Sequence, residues 1–384
     1  MPKIAIVHEW LTDYAGSERV LEQLLLQYPA ADLFAVVDFL APADRHFLHG
    51  RHPRTTFLQR FPFARRHLRQ YLALMPLAIE GLDLRGYDIV ISSSHAVAKG
   101  VLTGPDQFHL CYCHSPIRYA WDMQAQYLEV SGLIGGPRRA LARLLLHYMR
   151  LWDTRTANGV DRFVANSSYI ARRIRKVYGR EAAVLHPPVD VEAFIPRAAP
   201  APGNYYLAVS RLVPYKRVDL IVEAFARTPG RRLIVVGDGP MAALCRDKAA
   251  PNIEFRGALP AVELRTLMTN ARALVYAAEE DFGITVAESL ACATPVICYG
   301  RGGATEIVEE GATGIFFDEQ TPASLLAAMD RFECTEHLLD RDRMRSSVAR
   351  LHPREFRRRF DELLRHSHEL WDAGRHTERM HARA

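Results

Sequence analysis

The 384-residue chain is predicted to be α/β, built as two doubly wound parallel-sheet halves, and three observations carry that expectation. Wholly apolar runs such as residues 4–7 and 233–236 lack the in-out alternation of a sheet with one wet face, so they suit strands covered on both sides. Helical segments with one apolar face separate these runs along the whole length, the order expected of βαβ units. A Pro/Ala-rich stretch at 196–203 interrupts the pattern once. The expected domains are therefore 1–196 and 197–352, with a helical 353–384 returning to the first and a disordered end beyond Ala373.

In the first half, residues 4–8 are the opening strand. The turn at 13–18 carries Gly16 and leads into a helix with Val20, Leu21, Leu24, Leu25 and Tyr28 on one face, a loop suited to phosphate or sugar. Residues 33–37 form a second strand. Residues 87–92 form another that runs into Ser92-Ser93-Ser94-His95, and 110–116 repeats the arrangement with His114. Ligands of open α/β sheets bind outside such strand ends, which makes His95 and His114 candidates. Behind His114, Ser115-Pro116-Ile117-Arg118-Tyr119-Ala120-Trp121-Asp122 sets an Arg, two aromatics and an Asp after a proline turn. Residues 132–137 read as a mobile Gly-rich loop and 138–152 as an amphipathic helix. The strand within 161–168 is expected to close the sheet, and Ser167 or Ser168 to cap the helix bearing Arg172 and Arg173. Two prolines stiffen the connector at 184–190.

The second half opens on a strand that delivers Arg211, with Lys216 five positions later at a helix start. A guanidinium fork and a mobile ammonium together match a diphosphate. Cations at a helix N-terminus oppose the dipole, so their placement asks for an anionic ligand. Strand 233–237 ends in Gly237, read as a point of close nucleotide approach, and strand 253–257 carries Arg256.

The stretch 279–288 organises this half. It follows the strand 273–277, turns at Gly283, and starts a helix over 284–292. Phe282, Gly283, Ile284 and Thr285 surround that helix start, where unpaired N–H groups suit a phosphate. Glu280 on the loop and Glu288 on the helix have seven residues between them. Two carboxylates beside a phosphate site suit vicinal hydroxyls, since each accepts two hydrogen bonds from a diol. One diol would belong to a transferred sugar and the other to a ribose; the alternative is a pair of ordinary acids near a helix start. Gly302-Gly303 is read as a further source of backbone N–H groups for phosphate.

Bulk properties narrow the classes. Apolar content of 49% and charged content of 24% mark a globular chain, and no apolar run reaches the ~18 residues of a membrane span. Met1-Pro2-Lys3 leads directly into a strand, so no secretory signal is expected. The six cysteines contain no Cys-x-x-Cys pair, as in a reducing cytoplasm. Strand alternation separates Cys111 and Cys113 from His114, so no metal site is expected there. The net charge of +5 concentrates at 51–69, where six arginines alternate with Phe57, Leu58, Phe61, Phe63 and Leu68. That mixture suits an anionic membrane surface, with a solvated loop and helix as the alternative. No nucleic-acid motif accompanies it.

Glu280-x-Phe282-Gly283 with Glu288, followed by Ala291-Cys292-Ala293-Thr294-Pro295-Val296, resembles the signature of retaining glycosyltransferase family 4, and the resemblance covers nearly the whole chain. It implies the GT-B fold, two Rossmann-like domains facing across a cleft. It also implies that Glu280 contacts sugar hydroxyls, Glu288 holds the ribose, and Arg211 and Lys216 take the charge of a departing diphosphate without a metal. The family usually has two glycines where this chain has Ala15-Gly16. The run from His114 to Asp122 resembles that of bacterial polysaccharide mannosyltransferases, which places His114 near the transferred sugar and Arg118, Tyr119, Trp121 and Asp122 near an acceptor. The resemblance implies transfer of a hexose, mannose from GDP-mannose, to a polyprenyl-linked saccharide at the cytoplasmic membrane face, with no cofactor. A nucleotide-sugar epimerase of GT-B fold and a non-catalytic scaffold in a polysaccharide assembly complex are the alternatives.

Overall fold

The computed structural model describes residues 2–130, 132, 135–194 and 203–381. The expected boundary at 196–203 lies, apart from Gly203, outside the described residues. The chain divides into two compact units, Met1–Pro188 with Arg354–Ala384, and Val189–Pro353.

Unit 1 contains strands β1 (Ile4–Leu11), β2 (Asp32–Asp38), β3 (Arg54–Thr55), β4 (Ile89–Ser94), β5 (Phe108–Cys113), β6 (Arg162–Ala165) and β7 (Ala182–Val184). Its helices are α1 (Gly16–Gln27), α2 (Ala64–His67), α3 (Met75–Glu80), α4 (Gln124–Val130), α5 (Gly136–Thr156) and α6 (Ser168–Tyr178). All strand pairs are parallel, in the order β3-β2-β1-β4-β5-β6-β7. The apolar runs behave as a doubly covered sheet requires: Ala5, Val7, Phe34 and Val90 enter one core, while Ile6, Leu33, Ala35 and Ile91 enter the other.

Unit 2 contains β8 (Tyr205–Val209), β9 (Arg232–Val236), β10 (Ile253–Gly257), β11 (Ala273–Tyr276), β12 (Val296–Tyr299) and β13 (Gly314–Phe317), in the parallel order β10-β9-β8-β11-β12-β13. Its helices are α7 (Val218–Ala226), α8 (Ala242–Asp247), α9 (Ala261–Asn270), α10 (Ile284–Ala291), α11 (Pro322–Thr335) and α12 (Arg341–Ala349). Leu207, Ile234 and Leu274 face the core that holds α10; Tyr206, Leu233 and Val275 face the core that holds α7.

Helix α13 (Pro353–His381) returns to unit 1. Phe356, Phe360 and Leu364, one turn apart, join Val20, Leu21 and Leu24 of α1, each contributing about 2 kcal/mol by burial. The helix continues past Ala373, through residues expected to be disordered. Trp371 packs on Phe108, and the Arg375 guanidinium lies 4.4 Å over the Trp371 ring while pairing with Asp106.

Three further expectations change. Strand β7, not β6, closes the first sheet on that side, because Ala182–Val184 pairs with β6 before the prolines begin. Gly136 and Pro137 form the first turn of α5 rather than a loop, a place where proline loses no hydrogen bond. The stretch 51–69 is partly core: Leu58 and Leu68 are buried, and Arg51 donates to the Leu25 and Pro29 carbonyls at 3.2 and 2.8 Å. Phe57 and Phe63 remain outside, Phe63 at 74% exposure. Helix α5 carries a second exposed apolar row, Leu141, Leu144, Leu145, Tyr148 and Leu151, while Leu146, Met149 and Trp152 face the core.

Candidate active site

In unit 2 the candidate residues gather where the strands end. The chain leaves β8 through Ser210 and Arg211, and the buried Leu212 anchors the loop through its N–H to the Asp238 carbonyl, 2.9 Å. Arg211 is exposed and joins no ion pair among the described residues. A single turn at Pro214–Lys216 then brings the Lys216 ammonium onto the Glu280 carboxylate, with the aromatic faces of Tyr215 and Tyr276 at 5.7 and 5.8 Å. Two groups far apart in sequence thus form one charge pair.

The loop that carries Glu280 is held from below. Phe282 is buried in the α10 core and anchors the loop. Gly283 caps α10 at φ 101°, a left-handed conformation that residues with a Cβ rarely adopt. Glu288 lies inside α10 and is buried, whereas Ile284 and Thr285 at the helix start are partly accessible. The Tyr276 hydroxyl is buried without a hydrogen-bond partner among the described residues, 3.8 Å from where a side chain at Gly283 would begin.

The neighbouring glycines also serve backbone contacts. The Gly303 N–H donates to the Glu280 carbonyl at 2.7 Å, and a Cβ on Gly303 would stand 2.4 Å from the Asp281 carbonyl oxygen. Gly302-Gly303 is therefore a seat for the Glu280 loop. A Cβ on Gly237 would stand 1.9 Å from the Ser210 carbonyl oxygen, so that glycine admits the chain leaving β8. Arg256 forms an ion pair with Glu254 of its own strand, at the sheet edge.

In unit 1, β1 passes the ends of β4 and β5, and together they bring the buried His8, Glu9, Ser93, Ser94 and His114 and the half-buried His95 into one polar group. The Glu9 carboxylate accepts from the Ser94 hydroxyl and from the N–H groups of His95, Ala96, Val97 and Ala98 at 2.7–3.0 Å. Burial opposes its charge, but His95 and these donors hold its carboxyl below the usual range. His114 places Nε2 2.9 Å from Ser93 Oγ, and its carbonyl accepts from Asn166 Nδ2 at 3.0 Å. Burial, followed by His95 and His8, pushes the His114 imidazole well below its ordinary pKa, so it is neutral. The His95 ring is edge-on to Trp10 at 4.8 Å and 6.4 Å from the His114 ring.

Gly16 begins α1, and Glu18 two residues later accepts from the Ala15 N–H at 3.0 Å, the reciprocal half of a capping box. Ser167 caps α6 by accepting from the Ile170 N–H at 3.1 Å.

The segment after His114 is tied down by its own side chains. Trp121 Nε1 donates to Asp153 at 2.8 Å; Asp122 pairs with Arg173, which also donates to Ser115 Oγ at 2.9 Å. Trp121 and Asp122 thus brace the loop. The Arg118 charge reaches His114 and His95, and Tyr119 packs against Tyr127 at 5.8 Å. The sequence reading did not single out His8, Glu9, Glu18 or Ser93; a His-Glu pair directly after the apolar run 4–7 of β1 was the available signal.

Cys111 and Cys113 lie in an apolar cluster with Val160 and Phe163, and among the described residues no group of three or more His, Cys, Asp or Glu is arranged to hold a metal ion. No helix among the described residues is long and apolar enough to cross a membrane.

Comparison with known proteins places these halves. The family model described as Glycosyltransferase Family 4 matches residues 14–193, and that described as Glycosyl transferases group 1 matches residues 192–349. The D-inositol 3-phosphate glycosyltransferase of Mycobacterium tuberculosis is 28% identical over 232 residues, 53% of this chain and 47% of the relative. The same protein of Mycobacterium bovis aligns equally. The chain thus spans about half the length of the curated relatives it matches. Among solved structures, sucrose-phosphate synthase from Thermosynechococcus elongatus superposes with a TM-score of 0.71 at 19% identity, covering 97% of this chain and 100% of that one. The Anabaena protein HepE in complex with UDP-glucose gives a TM-score of 0.67 at 16% identity, covering 94% and 99%. These likenesses show the fold, the two Rossmann-like domains of the GT-B architecture. The chain belongs to the family 4 glycosyltransferases, with a family 4 domain followed by a group 1 domain.

Proposed function

We propose that the protein is a retaining hexosyltransferase that moves mannose from GDP-mannose to a polyprenyl-linked saccharide. The observation that carries the reading is the Lys216–Glu280 pair on the two loops of unit 2 that also bear Arg211 and the start of α10. An ammonium already held beside a sugar-facing carboxylate can share its charge with an arriving diphosphate, and the exposed Arg211 supplies a fork for the remaining oxygens. Glu280 then accepts from the hydroxyls of the transferred sugar and Glu288 from the ribose diol; the resemblance of residues 114–122 assigns His114 to the sugar. In the reaction the bond from C1 to the departing phosphate oxygen breaks and a bond from C1 to the acceptor oxygen forms on the same face. The acceptor's proton passes to the leaving diphosphate, whose charge Arg211 and Lys216 stabilise. The naming of the mycobacterial relatives as glycosyltransferases supports the reaction class. The mannose and guanine assignments rest on the resemblance of residues 114–122 to mannosyltransferases.

We assign the membrane side of unit 1 to Phe57 and Phe63 with Arg60, Arg65 and Arg66, and to the exposed leucine row of α5 beside Arg138, Arg139 and Arg143. This supports peripheral binding at the cytoplasmic membrane face.

A thermal-shift panel of nucleotide diphosphates and nucleotide sugars tests the donor. A ligand at 100 times its Kd stabilises the fold by about 2.7 kcal/mol. Selective stabilisation by GDP and GDP-mannose supports the proposal; preference for UDP-sugars keeps the mechanism and removes mannose. Conversion of the donor sugar without any acceptor would favour an epimerase, and no response to any nucleotide a scaffold.

A further inference from the structure

Four buried polar side chains run in line from the start of α1 to the end of β5, and the proposed reaction uses only the last. Glu18 Oε1 lies 3.1 Å from His8 Nε2, His8 Nδ1 lies 3.2 Å from Ser93 Oγ, and Ser93 Oγ lies 2.9 Å from His114 Nε2. His8 and Ser93 have no exposure, Glu18 4% and His114 9%, so water does not substitute for these bonds. No described residue hydrogen-bonds to His114 Nδ1, the other ring nitrogen.

The direction of each bond follows from donor and acceptor inventory. Burial opposes ionisation of Glu18, but the hydrogen bond and charge of His8 outweigh it and hold the carboxyl at about 2, so Glu18 only accepts. His8 Nε2 must therefore carry a proton. Ser93 has one O–H and sits between two ring nitrogens, so it donates to one and accepts from the other. If His8 carries no second proton, Ser93 donates to His8 Nδ1, and His114 Nε2–H donates to Ser93; His114 Nδ1 is then an acceptor. If His8 carries both protons, Nδ1–H donates to Ser93, Ser93 donates to His114 Nε2, and His114 Nδ1–H becomes a donor. A neutral His114 has one proton to place, and the serine decides where.

We propose that Glu18, His8 and Ser93 are positioning residues that determine which ring nitrogen of His114 carries its proton, and hence whether the Nδ1 edge accepts from or donates to a hydroxyl of the transferred sugar. The role in transfer rests on the glycosyltransferase reading, but the placement of the proton does not.

The test is 15N NMR of the imidazole rings in the full chain, with His114 assigned by His114→Gln. The wild type is expected to show one tautomer of His114, with one pyrrole-type and one pyridine-type nitrogen. Ser93→Ala is expected to give averaged shifts, and Ser93→Thr, which keeps the hydroxyl, to restore the single tautomer. Glu18→Gln, which leaves Ser93 in place, is expected to produce partial averaging. In a transfer assay Ser93→Ala should lower kcat about tenfold, the value of one hydrogen bond, with donor KM unchanged. A wild type that already averages, or a Ser93→Ala spectrum identical to wild type, overturns the proposal. If the shifts respond as stated but no nucleotide sugar is turned over, the relay stands and the reaction assignment fails.

Discussion

The strongest stability prediction concerns a buried ion pair beneath the His114 segment. Lys99 Nζ lies 2.8 Å from Asp153 Oδ1, 2.7 Å from the Asp153 carbonyl oxygen and 2.7 Å from Thr156 Oγ1, with side-chain exposures of 2% and 0% for the pair. Asp153 also accepts from the Tyr178 hydroxyl at 3.0 Å and from Trp121 Nε1 at 2.8 Å. Lys99→Met removes the cation and keeps most of the volume, leaving a carboxylate that two neutral donors cannot compensate. Breaking a buried pair this way costs about 3–5 kcal/mol, or roughly 10²- to 10⁴-fold in the unfolding equilibrium. All four tryptophans, Trp10, Trp121, Trp152 and Trp371, belong to unit 1, so tryptophan fluorescence follows this unit through a urea titration. The midpoint should fall by about 1 M or more. Arg85→Met, which breaks the exposed Arg85–Asp83 pair of the same unit, should leave it in place. A Lys99→Met shift below about 0.3 M would refute the reasoning, since it would mean that Asp153 is solvated or neutral when unpaired.

In unit 2, Gly303→Ala should destabilise by about 1–3 kcal/mol and lower transfer, because its Cβ meets loop backbone at 2.4 Å; Gly300→Ala, with nothing nearer than 3.5 Å, is the near-neutral control in the same denaturation. Glu280→Gln should reduce turnover heavily while calorimetry finds nucleotide diphosphate binding nearly intact; a collapse of nucleotide affinity would move Glu280 off the sugar. Burial holds His109 at about 4 against 6.5 unfolded, so the unfolded chain takes up a proton that the folded chain refuses. Stability is therefore complete above pH 6.5 and falls between pH 6.5 and 4 by up to about 3 kcal/mol, and His109→Gln should flatten that limb in fluorescence-detected unfolding. Vesicles with anionic lipid should sediment the protein, and Leu144→Ser with Leu151→Ser should weaken that binding; unchanged sedimentation would remove the α5 surface from the membrane assignment.

Much of the architecture follows from local pattern. Wholly apolar runs can only be satisfied between two layers, and this alone implies parallel strands, helices on both faces, and ligand groups at strand ends. Arg211, Lys216, Glu280 and Glu288 stand out as candidates in the sequence because their types conflict with their positions: cations at a helix start, acids beside a helix N-terminus suited to phosphate. Short edge strands were not legible, since β3 and β7 hold two and three residues and owe their existence to pairing with β2 and β6. The end of α13 was misjudged because its polar composition hides an anchor that exists only when Trp371 meets Phe108.

The sequence by itself determined the halves with helices on both faces of a sheet, the helix start at Gly283 and the candidate donor residues, because these depend on neighbours in the chain. Only the tertiary structure decided that Lys216 rests on Glu280, that Gly237 and Gly303 admit backbone, and that Glu18, His8, Ser93 and His114 form one line. Those relations join residues from different strands and loops, and the sheet register that aligns His8 with Ser93 lies in hydrogen bonds that no local spacing encodes.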